Sequence, residues 1–108
     1  MSTYEVKIAL DGGVIVCNVK DAKVKGGNVE GVSTDQVHFI GNGVQFALGF
    51  QTFPGGDTAW PFTEAVPTWP QPQFMGTLAK PPAEKTVYKY TVNVAGAPPL
   101  DPIIIVDR

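Results

Sequence analysis

The sequence predicts an all-β protein, a two-sheet antiparallel sandwich, and three observations point there. Glycine (12) and proline (10) are plentiful in 108 residues, and both interrupt helices. No window of about ten residues keeps apolar side chains at a spacing of 3.6 without a glycine, proline or β-branched run cutting across it. Short runs of strict apolar–polar alternation recur instead, each bounded by turn residues, which is the pattern of half-buried strands.

The first such run spans residues 4–10, where Tyr4, Val6, Ile8 and Leu10 alternate with Glu5, Lys7 and Ala9. Asp11-Gly12-Gly13 then supplies residues that tolerate positive φ, and so a turn. Val14-Ile15-Val16-Cys17 reads as a second strand covered on both sides. Residues 19–25 extend it or begin another, closed by Gly26-Gly27-Asn28. In residues 36–40, Val37 and Phe39 share one face and Gln36, His38 and Ile40 the other. Gly41-Asn42-Gly43 follows, and then the cleanest alternation in the chain. Val44, Phe46, Leu48 and Phe50 point one way, and Gln45, Ala47, Gly49 and Gln51 the other. These two runs are expected to form a hairpin around Asn42-Gly43.

Residues 53–82 differ in character. They hold seven of the ten prolines and five of the eleven aromatic residues, namely Phe53, Trp60, Phe62, Trp69 and Phe74. Proline cannot donate to a sheet ladder, so this stretch is expected to be a long loop that is functional or packed over an open end of the core. Regular alternation returns at Thr86, Tyr88, Tyr90, Val92 and Val94. After the connection Ala95-Gly96-Ala97-Pro98-Pro99, the β-branched run in residues 100–106 reads as a last strand buried on both faces, with Pro102 tolerated at its start. Tyr88 and Tyr90 are expected in the core or in a tyrosine corner.

Length and composition suit one domain, residues 1–108, whose 44% apolar content allows a real core. A net charge of −2 with both signs dispersed leaves no basic patch for a phosphate backbone, so nucleic-acid binding is not expected. No apolar run approaches the length of a membrane helix, and the first residues enter a strand pattern with no signal-peptide signature. A single cysteine allows no internal disulfide. A cytoplasmic location is the expectation.

The strand order resembles the cupredoxin-like or immunoglobulin-like Greek-key sandwich. The resemblance rests on Thr86-Val87-Tyr88-Lys89-Tyr90-Thr91-Val92-Asn93-Val94 leading into Leu100-Asp101-Pro102-Ile103-Ile104-Ile105-Val106. The Asp-Pro step followed by isoleucines also resembles the small bacterial DP-EP family, which implies such a sandwich and no assigned chemistry. The specific part covers about twenty residues, and the chain departs from the family pattern in having no Glu-Pro dipeptide.

A cupredoxin-like fold raises the question of copper. A blue-copper site needs two imidazoles and a thiolate, whereas this chain has one histidine, His38, and one cysteine, Cys17. Ala95-Gly96-Ala97-Pro98-Pro99, where such folds place donors, offers no donor side chain. The same count excludes a conventional zinc site of cysteine and histidine. No metal or cofactor is expected. His38 reads as a structural or surface residue and Cys17 as a small inert core residue. Ser2 and Ser33 are the only serines and neither lies in a nucleophile elbow. No catalytic residue is assigned.

What rises above background is the aromatic loop. Trp60, Phe62 and Trp69 are large rigid side chains of the kind that dominate binding hot spots and sugar-stacking platforms, and Asp57 and Glu64 fall beside them. The sequence therefore favours a non-catalytic binding or self-assembly module, with a protein partner or a second copy engaged through an edge strand or this loop. The alternative is a carbohydrate-binding module stacking sugars on Trp60 and Trp69. An enzyme using Asp57 or Glu64 as base lacks partner residues. The opposite expectation for the aromatics is a lid closing the sandwich.

Overall fold

Val6 and Ile8 are fully buried while Glu5 and Lys7 beside them are exposed, and this inward–outward rhythm organises each long strand of the computed structural model. It describes residues 1–17 and 21–108. Among these there is no helix, and nine strands form two sheets. β1 (Thr3–Asp11), β2 (Val14–Cys17), β5 (Gln36–Gly41) and β7 (Gln73–Thr77) make one sheet in the order β2-β1-β5-β7. β3 (Val24–Lys25), β4 (Asn28–Val32), β6 (Ala47–Thr52), β8 (Lys85–Asn93) and β9 (Ile103–Asp107) make the other, in the order β3-β4-β9-β8-β6. The predicted all-β sandwich is the fold.

Its core lies between the sheets. Val6, Ile8, Val37 and Phe39 come from the four-stranded side, and Val29, Leu48, Tyr90, Val92, Ile104 and Val106 from the five-stranded side. Tyr90 keeps its phenol in this apolar space by donating a hydrogen bond to the Gly27 carbonyl. That contact spans 63 residues, so it ties β8 to the β3–β4 turn rather than forming a local tyrosine corner.

The ladders depart from the sequence reading in four places. Two pairings are parallel, β1 with β5 and β4 with β9, because the chain crosses to the other sheet and returns between them. The expected hairpin around Asn42-Gly43 does not form. β5 pairs with β1 and β7, whereas β6 pairs with β8 (Leu48↔Val92, Phe50↔Tyr90) in the opposite sheet. At the crossing the Gly41 N–H donates to the Pro72 carbonyl (2.8 Å) and the Asn42 N–H to that of Ile8 (2.8 Å). A Cβ on Gly41 would lie 2.0 Å from the Val44 carbonyl oxygen, so glycine is required there by space.

Residues 53–82 are not loop throughout, since β7 lies within them and pairs with β5 (Val37↔Gly76, Phe39↔Phe74). Its single apolar–glycine run, Phe74-Met75-Gly76, hid it among the prolines. β9 and β2 are each covered on one face only: Ile104 and Val106 are buried while Ile103 and Ile105 are half-buried on the outer surface, and Ile15 and Cys17 are buried while Val14 is exposed. β3 falls within the extension expected over residues 19–25, whose residues 19 and 20 lie outside the described part.

Candidate functional site

The segment between β6 and β7 starts and ends on the two sheet edges that bound one side of the sandwich. An unpaired edge offers N–H and C=O groups to any passing strand. Here the segment takes up part of those groups itself. Along β6, the Thr52 N–H donates to the Asp57 carbonyl (2.8 Å), and the Ala59 N–H donates to that of Phe50 (3.2 Å). Just before β6, Phe46 and Gln71 exchange both backbone hydrogen bonds (2.9 Å each). Along β7, the Thr63 N–H reaches the Thr77 carbonyl (2.9 Å), and Ala79 beyond the strand donates to Pro61 (2.8 Å).

Glu64 completes this edge. Its carboxylate accepts the Thr77 backbone N–H (2.6 Å) and hydroxyl (2.7 Å), doing with a side chain what a strand partner would do with its carbonyl. Burial alone would raise its pKa, but the hydrogen bonds from Thr77 outweigh that and hold it below the usual glutamate value. Asp57 sits apart, exposed, in the turn after β6, where its backbone N–H donates to the Thr52 hydroxyl (3.1 Å). The two carboxylates thus belong to different edges: Glu64 serves β7 and Asp57 the end of β6.

Three aromatic side chains of the segment, Trp60, Phe62 and Trp69, converge on Phe74 of β7. Phe62 is 4% exposed and lies edge-on to Phe39, Phe50 and Phe74, at centroid distances of 6.2, 5.3 and 5.6 Å. Gly76 seats it, since a Cβ at that position would lie 2.5 Å from the Phe62 ring. Trp60 packs on Phe50 (5.2 Å), Phe62 (5.3 Å) and Phe74 (5.6 Å), and its indole N–H donates to the Glu64 carbonyl (2.5 Å). Each such pair adds about 0.5–1.5 kcal/mol beyond area burial. With three pairs and its N–H satisfied, Trp60 is an anchor of the lid. The lid expectation describes Trp60 and Phe62.

Trp69 is placed differently. It makes two aromatic contacts, with Phe46 (6.2 Å) and Phe74 (5.9 Å), and is half-buried, as Trp60 is. Its ring forms one wall of a cleft of about 590 Å³ at the end of the sandwich. The other walls are Leu10 at the end of β1, Val44 and Ala47 at the crossing into β6, Pro70, and Val94 and Ala95 after β8, with Gln45 and Asn93 as the polar members. Leu10 is 41% exposed there. It continues the inward parity of Val6 and Ile8 past the point where the opposite sheet covers it. That overhang was readable in the alternation; the gathering of Val44, Ala47 and Val94 around it required the crossing between sheets.

Elsewhere the titratable groups serve the fold. His38 Nε2 lies 3.1 Å from the Gln73 side-chain oxygen on the outer face of the first sheet. Burial pushes the Cys17 thiol up to about 11, which leaves it protonated and unreactive at neutral pH. Asp35, which no sequence pattern marked, is 3% exposed. Its carboxylate accepts the N–H of Ser2 (2.8 Å) and of Val32 (3.1 Å) and the Tyr4 hydroxyl (3.1 Å). Among the described residues no group of three or more histidine, cysteine or acidic side chains is placed to hold a metal ion. No described helix is long and apolar enough to cross a membrane.

No family model matches this chain, and no curated protein matches it.

Proposed function

We propose that the chain is a non-catalytic binding module that holds an apolar segment of a protein partner in the cleft beside Trp69. The observation that carries this reading is a partly exposed indole forming the wall of a largely apolar cleft with Leu10, Val44, Ala47 and Val94. Pockets of this kind take apolar groups, and tryptophan is enriched at binding hot spots. The edge-strand route to a partner is disfavoured on the β6 and β7 side, where the lid already occupies both ends of β6 and the end of β7. The resemblance to DP-EP sandwiches belongs to the same proposal, since it carries no chemistry that conflicts with a binding role.

Panning a displayed peptide library against the chain tests the reading. Enriched peptides should be rich in apolar residues and should quench or shift tryptophan emission. They should lose about tenfold or more in affinity on Leu10→Lys, with the circular dichroism of the variant unchanged. Peptides that bind Leu10→Lys as well as the parent would move the site elsewhere.

A second reading is favoured by the amides of Gln45 and Asn93 beside the same ring, a stacking face with hydrogen-bonding side chains as a sugar site requires. It uses Trp69 alone, because Trp60 is committed to the lid. A glycan panel read by tryptophan fluorescence separates the two: a response abolished by Trp69→Ala favours sugar, and a flat panel removes it.

A further inference from the structure

A sheet face left open to water alternates toward polar residues, and both outer faces of this sandwich mix polar with apolar side chains. On the four-stranded sheet Ile40 and Met75 stand among Glu5, Lys7, Gln36, His38 and Gln73. The five-stranded sheet, beside Lys89 and Gln51, turns Ile103 and Ile105 of β9 and Val87 of β8 outward in adjacent positions, and Phe53 follows on at 51% exposure. The β-branched run of β9 has the composition of a strand covered on both faces, yet the single chain covers one.

The pairings place these residues in rows. Glu30 lies beside Ile105, Ile105 beside Val87, and the Phe53 N–H donates to the Val87 carbonyl (3.1 Å), giving the row Glu30, Ile105, Val87, Phe53 across four strand positions. In the next row Val32 lies beside Asp107 and Asp107 beside Lys85. At the β4 end of the first row is a shallow groove of about 150 Å³, bordered by Ile103, Ile105, Asn28, Lys25 and Glu30. One end of the row is thus a hollow and the other an exposed aromatic ring.

We propose that this face binds a second copy of the chain about a twofold axis running along the strands between β8 and β9. With strands about 4.8 Å apart, Phe53 and the groove lie at similar distances on either side of that axis, about 7 Å. The operation sets Phe53 of each copy into the groove of the other and stacks Ile105 on Val87. It also brings Lys85 opposite the partner's Asp107, twice. An isologous interface requires this self-complementarity of shape and charge. Lys85 and Asp107 are free to engage across it, since the ion pair formed among the described residues is Lys89 with Asp101 (3.9 Å). The proposal uses a different surface from the cleft beside Trp69 and stands or falls separately.

Sedimentation velocity of the full chain over a range of concentrations is the test. A monomer–dimer equilibrium is expected, with Phe53→Ser raising the dimer dissociation constant about tenfold or more and leaving the circular dichroism unchanged. Lys85→Asp and Asp107→Lys should each weaken the dimer, and the double variant Lys85→Asp/Asp107→Lys should restore it, because the swapped charges meet again across the axis. Phe53→Ser is outside the core and guards against a folding defect in the charge variants. A strict monomer at high concentration overturns the proposal, as does a dimer that Phe53→Ser leaves intact. A double swap no stronger than either single variant also overturns it.

Discussion

Glu64 and Asp35 are acidic side chains that each accept several hydrogen bonds from the fold. Glu64 stands in for a strand on the β7 edge, so Glu64→Ala leaves the Thr77 N–H and hydroxyl without their acceptor. A loss of about 1–3 kcal/mol follows, while Glu64→Gln, which keeps one oxygen, should cost less; thermal unfolding of both variants measures this. Asp35 fastens the start of β1 to the end of β4 through Ser2, Tyr4 and Val32. Burial alone would raise its pKa, but the N–H groups of Val32 and Ser2 and the Tyr4 hydroxyl hold it below the ordinary aspartate value. A carboxyl depressed in the folded state stabilises it above the unfolded pKa of about 3.9 and loses that contribution as pH falls through the lower folded value. Urea midpoints should therefore decline below about pH 4, and Asp35→Asn should flatten that decline. Equal acid slopes in the two proteins would contradict this role. Neither carboxylate was legible as structural in the sequence. Asp35 is one of ten acidic residues, and its donors at positions 2 and 4 become neighbours only through the parallel β1–β5 pairing.

Strands with clean alternation were legible as elements. β1, β5, β6 and β8 follow from the period-2 pattern because each presents one face to the core, whereas β2 and β9 follow from apolar, β-branched runs that are covered on one face rather than the expected two. β4 was missed, since Asn28-Val29-Glu30-Gly31-Val32 puts a glycine inward where Tyr4 and Leu78 approach to within 3.1–3.2 Å of a Cβ position. β7 was missed for a related reason: Gly76 leaves room for Phe62 from the lid, so the inward face of the strand is completed by another segment. The partner of β6 was misassigned because a turn signal at Asn42-Gly43 is local, whereas the pairing with β8 is set by burying Leu48 and Phe50 against Val92 and Tyr90. The Gly76–Phe62 fit carries its own prediction. Gly76→Ala should destabilise the chain by about 1–3 kcal/mol through overpacking, and Phe62→Ala by about 3–5 kcal/mol through a cavity. In the Phe62→Ala background, Gly76→Ala should cost little, because the ring it strikes is gone. Additive costs in this double-mutant cycle would mean that the two positions do not share the contact.

At the scale of the molecule, the sandwich closes one side with the lid and joins its sheets by repeated crossings, from β2 to β3, β4 to β5, β5 to β6, β6 to β7 and β7 to β8. Both sheets share one core, and that core is expected to unfold as one cooperative unit. Of the candidate site, the aromatic character of the segment was legible in the sequence. Which ring lines a cleft was not, because that depends on where the crossings deliver Leu10, Val44 and Val94. Cys17 reports on the cooperativity directly. It lies at the end of β2 against Gly27 and Pro102, both buried, and its thiol is protonated at neutral pH. Reaction with a thiol reagent in the native state then requires an opening that exposes the end of β2, and its rate follows the population of that open form. If that opening is global unfolding, a variant at a distant site must accelerate labelling by the factor its stability loss dictates, tenfold for about 1.4 kcal/mol. Asp35→Asn, acting where β1 and β5 begin at the middle of the first sheet, and Phe62→Ala, acting at its β7 edge, should both obey this relation. Labelling that is fast in the parent chain and indifferent to both substitutions would instead assign β2 a local opening of its own, independent of the lid and of the Asp35 latch.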